Sequence, residues 1–149
     1  MGDRQLNLEL AKKEIGIQCG RVTKGSSLYE TAAWGNTQQA AFLNQALEVE
    51  TLLNAKQLIR KLLSIEKIMG RTRKEKYGPR IIDIDILLFN TETYNYPLLT
   101  IPHPELQNRR FALLPLAEIA AETMHPVFNK TIGRLLTECR DDLEVKKYS

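Results

Sequence analysis

The chain has 149 residues, 43% of them apolar, which suits one core of ordinary size and predicts a single domain over 1–149. A formal charge of +3 with 26% charged residues is too mild for a general nucleic-acid binder, so an anionic partner must be met locally. No apolar run approaches the roughly 18 residues that span a bilayer, Met1 to Leu10 lacks a basic-then-apolar leader, and Leu6 stands where myristoylation needs Ser or Thr.

These exclusions predict a cytoplasmic protein with neither nucleic acid nor membrane as partner, and a monomer is expected. Cys19 and Cys139 have neither a disulfide-framework nor a zinc spacing, and are expected to be reduced thiols.

In chain order, Asp3 is positioned to cap a helix that carries Leu6, Leu10 and Ala11 on one face and ends near Gly16. Arg21 to Tyr29 reads as a strand, Glu30 to Ala40 as a surface connection holding Trp34, and Phe42 to Glu50 as a second strand with Phe42, Asn44 and Ala46 on one face. Asn54 opens the clearest helix, in which Leu58, Leu62, Ile65 and Met69 recur at helical spacing up to Gly70. A charged loop reaches Pro79, followed by a β-rich run from Ile81 to Phe89 and a turn at Asn90. Leu98 to Ile101 is a short strand, and Leu113 to Ala121 and Ile132 to Cys139 are short helices. Hairpin-connected strands around one long helix predict an α+β layer structure with an antiparallel sheet.

Two features carry chemistry. Asp83 and Asp85 fall two apart on the predicted strand, so both project from one face while Ile82, Ile84 and Ile86 line the other. Their backbones lie roughly 6–7 Å apart, which lets two carboxylates converge on cations about 4 Å apart. Magnesium suits such oxygen ligands and leaves positions for water and phosphates. Upstream, Arg71, Arg73, Lys74, Lys76 and Arg80 oppose the single acid Glu75. Alone, each feature also reads as a solvated surface; together they favour nucleotide-dependent transfer, with acids holding magnesium and guanidinium groups meeting phosphate charge. Neither a Walker loop nor a kinase Gly-rich loop is present, so the nucleotide must be held another way.

The runs Gly70-Arg71-Thr72-Arg73, Tyr77-Gly78-Pro79-Arg80 and Ile82-Asp83-Ile84-Asp85-Ile86-Leu87-Leu88-Phe89 closely resemble 6-hydroxymethyl-7,8-dihydropterin pyrophosphokinase. The likeness continues at Thr100-Ile101-Pro102-His103-Pro104, from Asn108 to Leu116, at Ser27 to Thr31 and at Phe42-Leu43-Asn44, covering nearly the whole chain. It implies a ferredoxin-like α+β fold and transfer of pyrophosphate from ATP to the pterin, with release of AMP. By position, Asp83 and Asp85 would bind two magnesium ions, and Arg71, Arg73 and Arg80 would enclose the triphosphate. Glu66, Thr100, His103 and Arg109 would line the nucleotide site. Thr31, Trp34, Asn44, Tyr77 and Phe111, with Asp83, would surround the pterin.

The family pattern begins with a strand ending in Gly-Ser-Asn, whereas this chain opens at the first helix with Met1-Gly2-Asp3-Arg4. The resemblance therefore predicts a first strand missing from this chain, through a misassigned start or an omitted N-terminal segment. Two other readings remain: a non-catalytic pterin- or nucleotide-binding remnant, and a different Asp-x-Asp metal enzyme such as a nuclease.

Overall fold

A computed structural model describes residues 3–31, 42–71 and 82–148. Helix α1 spans Arg4–Gln18, and the Asp3 side chain accepts from the backbone N–H groups of Gln5 and Leu6, satisfying two donors the helix start leaves unpaired. The helix turns Ala11 and Ile15 inward, while the predicted Leu6 and Leu10 are exposed. Gly20 makes the turn into the sheet, where any Cβ would lie 2.0 Å from the Glu50 carbonyl oxygen.

Each predicted long strand is two short ones. Strand β1 (Arg21–Gly25) pairs antiparallel with β4 (Leu47–Glu50), while β2 (Tyr29–Thr31) pairs with β3 (Phe42–Asn44) in a separate sheet. The break is built by Ser26, which is buried: its N–H donates to the Ala46 carbonyl at 2.9 Å and its hydroxyl accepts from the Ala46 N–H at 2.9 Å. Both chains thus bend together and pass from one sheet to the other. Strand β7 (Val145–Lys147) completes the second sheet in the order β3-β2-β7.

Helix α2 covers Ala55–Arg71. Its start is a reciprocal cap, in which Asn54 Oδ1 accepts from the Gln57 N–H and Gln57 Oε1 accepts from the Asn54 N–H. Leu58, Leu62, Ile65 and Met69 are buried against Ala11, Ile15 and Cys19 of the first helical segment. Strands β5 (Tyr94–Tyr96) and β6 (Leu99–Ile101) form a hairpin. Helices α3 (Arg110–Ala120) and α4 (Ile132–Glu138) pack on each other around Leu113, Leu116, Ile132 and Leu135. Both cysteines are free and buried.

Residues 82–89 run between the two helical layers. Ile82, Ile84 and Ile86 pack toward α1 and α2, whereas Leu87 and Leu88 pack toward α3 and α4. The predicted strand is not laddered, however: among the described residues no sheet includes 82–89. A ladder needs a neighbour about 4.8 Å away. Between this segment and β4 lies a cavity of about 730 Å³, lined by Leu47, Val49, Ile84 and Ile86 with Ala11 and Ile119. On the other side, one backbone bond from the His103 N–H to the Leu87 carbonyl, 3.0 Å, ties it to the chain after β6.

Candidate active site

Asp83 and Asp85 are exposed while the isoleucines between and beside them are half-buried, so the period of two read from the sequence governs burial here. Glu66, on α2, accepts the Ile84 N–H on its Oε2 at 2.5 Å, which fastens the backbone midway between the two aspartates. Among the described residues no three His, Cys, Asp or Glu side chains gather as a metal cluster. Two carboxylates alone suit a hard cation that takes its remaining oxygens from phosphates and water, so this donor set fits magnesium delivered with a nucleotide.

The Leu87 to His103 bond sets the imidazole beside the acidic segment. His103 Nδ1 accepts from the Glu105 N–H at 3.2 Å, which leaves the proton of the neutral ring on Nε2. Burial lowers the His103 pKa; the charges of Asp85 and Glu105 oppose that fall, and Arg109 adds to it. His103, Asp85 and Arg109 therefore share one electrostatic neighbourhood. The Arg109 guanidinium also lies over the Phe111 ring, 5.7 Å from its centroid. Thr100 is exposed on β6, opposite Asn95.

A second group forms on the β3-β2-β7 sheet. Tyr29 and Thr31 share a face of β2, and their register partners Asn44 and Phe42 lie on that same face. The Tyr29 hydroxyl donates to Glu118 of α3 at 2.6 Å, so this is the face that α3 covers. Thr31 is 3% exposed, and its hydroxyl has no hydrogen-bond partner among the described residues. A buried hydroxyl left so costs about 1–3 kcal/mol, a cost that a ligand offering a polar atom there would remove. Phe111 is seven residues before Glu118, hence on the same stripe of α3 and about 10 Å along its axis.

Direction along the strand follows from the C-terminal segment. The Arg110 N–H donates to Asp141 Oδ2 at 3.0 Å, and its guanidinium donates to the Asp141 and Cys139 carbonyls. Four residues after Asp141, Val145 pairs with Thr31, and Lys147 pairs with Tyr29. Passing from Tyr29 to Thr31 therefore leads toward the start of α3, where Phe111 sits.

Thus Glu66, Asp83, Asp85, His103 and Arg109 gather around 82–89, and Thr31, Asn44 and Phe111 around the α3-facing sheet. Arg71 ends α2, with its side chain outside the described residues; Trp34, Arg73, Tyr77 and Arg80 lie wholly outside them. Glu118 and Arg110, which tie α3 to distant segments, carry no mark in the sequence. Their partners are 89 to 91 and 29 to 31 residues away, so no local spacing marks them.

A family model described as 7,8-dihydro-6-hydroxymethylpterin-pyrophosphokinase (HPPK) matches residues 1–121. The 2-amino-4-hydroxy-6-hydroxymethyldihydropteridine pyrophosphokinase of Aquifex aeolicus is 42% identical over 117 residues, 78% of this chain and 73% of that protein. The protein of the same name from Bacillus subtilis is 44% identical over 123 residues, 82% of this chain and 74% of its own length. In structure, the Plasmodium falciparum HPPK-DHPS protein with STZ-DHP aligns at a TM-score of 0.68 and 19% identity, over 91% of this chain and 38% of that one, which shows a shared α+β, ferredoxin-like fold. With its fold, its acidic segment and these relatives in agreement, the chain belongs to the 6-hydroxymethyl-7,8-dihydropterin pyrophosphokinase family.

Proposed function

We propose that Asp83 and Asp85 are the centre at which this chain carries out its family's reaction, transfer of pyrophosphate from ATP to 6-hydroxymethyl-7,8-dihydropterin in folate biosynthesis. The pterin hydroxyl oxygen forms a bond to the β-phosphorus, the bond from that phosphorus to the α–β bridging oxygen breaks, AMP leaves with that oxygen, and the hydroxyl proton passes to solvent. The observation that carries this reading is one neighbourhood holding Asp85, His103 and Arg109, with Asp83 exposed two residues before Asp85 on the same segment.

Asp83 and Asp85 would hold two magnesium ions. Bound there, magnesium supplies neutralising charge to the phosphate oxygens and orients them. Glu66 keeps the backbone between the aspartates in place, and Arg109, with Arg71, Arg73 and Arg80, meets the phosphates, where planar guanidinium forks pair well. His103 donates from Nε2 toward them, and Thr100 lies at the adenosine.

For the second substrate, Phe111 supplies a stacking face. Asn44 offers a donor and an acceptor, and the Thr31 hydroxyl, unpaired among the described residues, a further polar contact. Trp34 and Tyr77, with Asp83, complete that site. No dedicated general base is assigned, so positioning dominates the rate. In this proposal the chain is a single-domain monomer that acts on two small molecules in the cytoplasm, without nucleic acid or membrane. Two buried, unbridged thiols support that compartment, and no described helix is long and apolar enough to cross a membrane.

Incubation with ATP, magnesium and the hydroxymethyl-dihydropterin tests the proposal: AMP and the pterin diphosphate should appear in equal amounts. Release of ADP, or substrate binding without AMP, would overturn it.

A further inference from the structure

Glu118 lies outside the groups assigned to either substrate, yet it is the principal polar link between α3 and the β3-β2-β7 sheet. Its Oε1 accepts from the Tyr29 hydroxyl at 2.6 Å; its Oε2 accepts from the Ser27 N–H at 2.8 Å and from the Ser27 hydroxyl at 3.3 Å. Three donors on one carboxylate, two of them fixed by the backbone or a buried ring, define where the helix stands above the strand. Tyr29 is buried, so its hydroxyl has little freedom to follow a displaced helix. The far end of the same stripe carries Phe111, and the far end of the same strand carries Thr31. At that end the Arg110 and Asp141 contacts hold the C-terminal segment onto the helix start.

We infer that Glu118 is a positioning residue for the flat heteroaromatic substrate, fixing the gap between Phe111 on α3 and the Thr31 and Asn44 face of the sheet. This rests on the assignment of Phe111, Thr31 and Asn44 to the pterin. A ring between a stacking face and a polar edge tolerates little change in their spacing, because stacking and hydrogen-bond distances must both be met. Asp83, Asp85 and His103 are fastened separately, through Glu66 and the Leu87 to His103 bond, so loosening α3 at Glu118 acts mainly on the pterin and reaches the nucleotide only through Arg109, the N-cap of α3.

The experiment compares unmodified protein with Glu118→Ala, Glu118→Gln and Phe111→Ala, measuring dissociation constants for hydroxymethyl-dihydropterin and for a non-hydrolysable ATP analogue with magnesium. Glu118→Ala should weaken pterin binding about tenfold, the scale of one lost charge-assisted hydrogen bond, and weaken nucleotide binding much less. Glu118→Gln keeps one oxygen, for the Tyr29 hydroxyl or for the Ser27 N–H but not for both, and should recover part of the loss; Tyr29→Phe should weaken pterin binding in the same sense. Equal weakening of both ligands, or a fall in Tm with both constants unchanged, would overturn the inference and leave a purely structural clamp. If Phe111→Ala weakens the pterin while Glu118→Ala does not, the inference fails and the pterin site stands. If Phe111→Ala has no effect, the pterin assignment itself fails, and the inference with it.

Discussion

Removing the Glu66 carboxylate should loosen the acidic segment at its midpoint. In the folded protein Glu66 Oε2 takes the Ile84 N–H at 2.5 Å, in partly buried surroundings, and this segment lacks a strand neighbour among the described residues to take over the bond. A hydrogen bond to a charged acceptor contributes about 1.5–3 kcal/mol, and partial access of water to the orphaned N–H trims the loss, so Glu66→Ala should cost about 1–3 kcal/mol. If the cost is local, the Ile84 amide should exchange roughly 5- to 150-fold faster, since about 1.4 kcal/mol is a factor of ten. Glu66→Gln keeps a neutral acceptor and should restore about half of the protection. Hydrogen exchange read by NMR, with urea unfolding alongside, separates local from global loss. AMP formation should fall with the local loss, because Asp83 and Asp85 flank the freed backbone. Unchanged Ile84 exchange in Glu66→Ala would refute the reasoning.

Asp83→Asn and Asp85→Asn should each lower AMP formation by about a hundredfold or more, the scale of a lost electrostatic contact in phosphoryl transfer, while Tm moves little because both side chains are exposed. Burial holds His125 below its ordinary value of 6.5, and its Nδ1 accepts the Val127 and Phe128 N–H groups, so folded protein resists the proton that the unfolded chain takes up. Stability from this group is complete above about pH 6.5 and is lost as pH falls below it, by at most about 1.4 kcal/mol per pH unit. In His125→Asn an amide oxygen can accept the same N–H groups, so its urea-unfolding curve should flatten between pH 7 and 5.5.

Local chemistry made much of this fold legible. The α2 stripe from Leu58 to Met69 and the Asp3 and Asn54 caps are read within one or two turns of chain, and the structure follows them. The alternation from Ile82 to Ile86 likewise predicts which side chains turn inward and which stay exposed. It did not predict the missing ladder, because pairing depends on what stands beside a strand and not on its own sequence. Strands β5 and β7 went unread since Tyr94-Asn95-Tyr96 and Val145-Lys146-Lys147 carry no buried alternation. The breaks at Ser26 and Ala46 depend on contacts 20 residues apart. In the candidate site, the aspartate pair is visible as a pattern, whereas the Thr31 hydroxyl, unpaired among the described residues, and the Glu118 link emerge only once distant segments are packed.

Manganese, a paramagnetic substitute for magnesium, offers the most direct test of where the nucleotide's metal sits. With a non-hydrolysable ATP analogue present, substoichiometric manganese should broaden the amide signals of Asp83, Ile84 and Asp85 first, with His103 next, and Asp85→Asn should abolish the effect. Broadening centred on any other part of the chain, with the Asp83 to Asp85 signals sharp, would contradict the account.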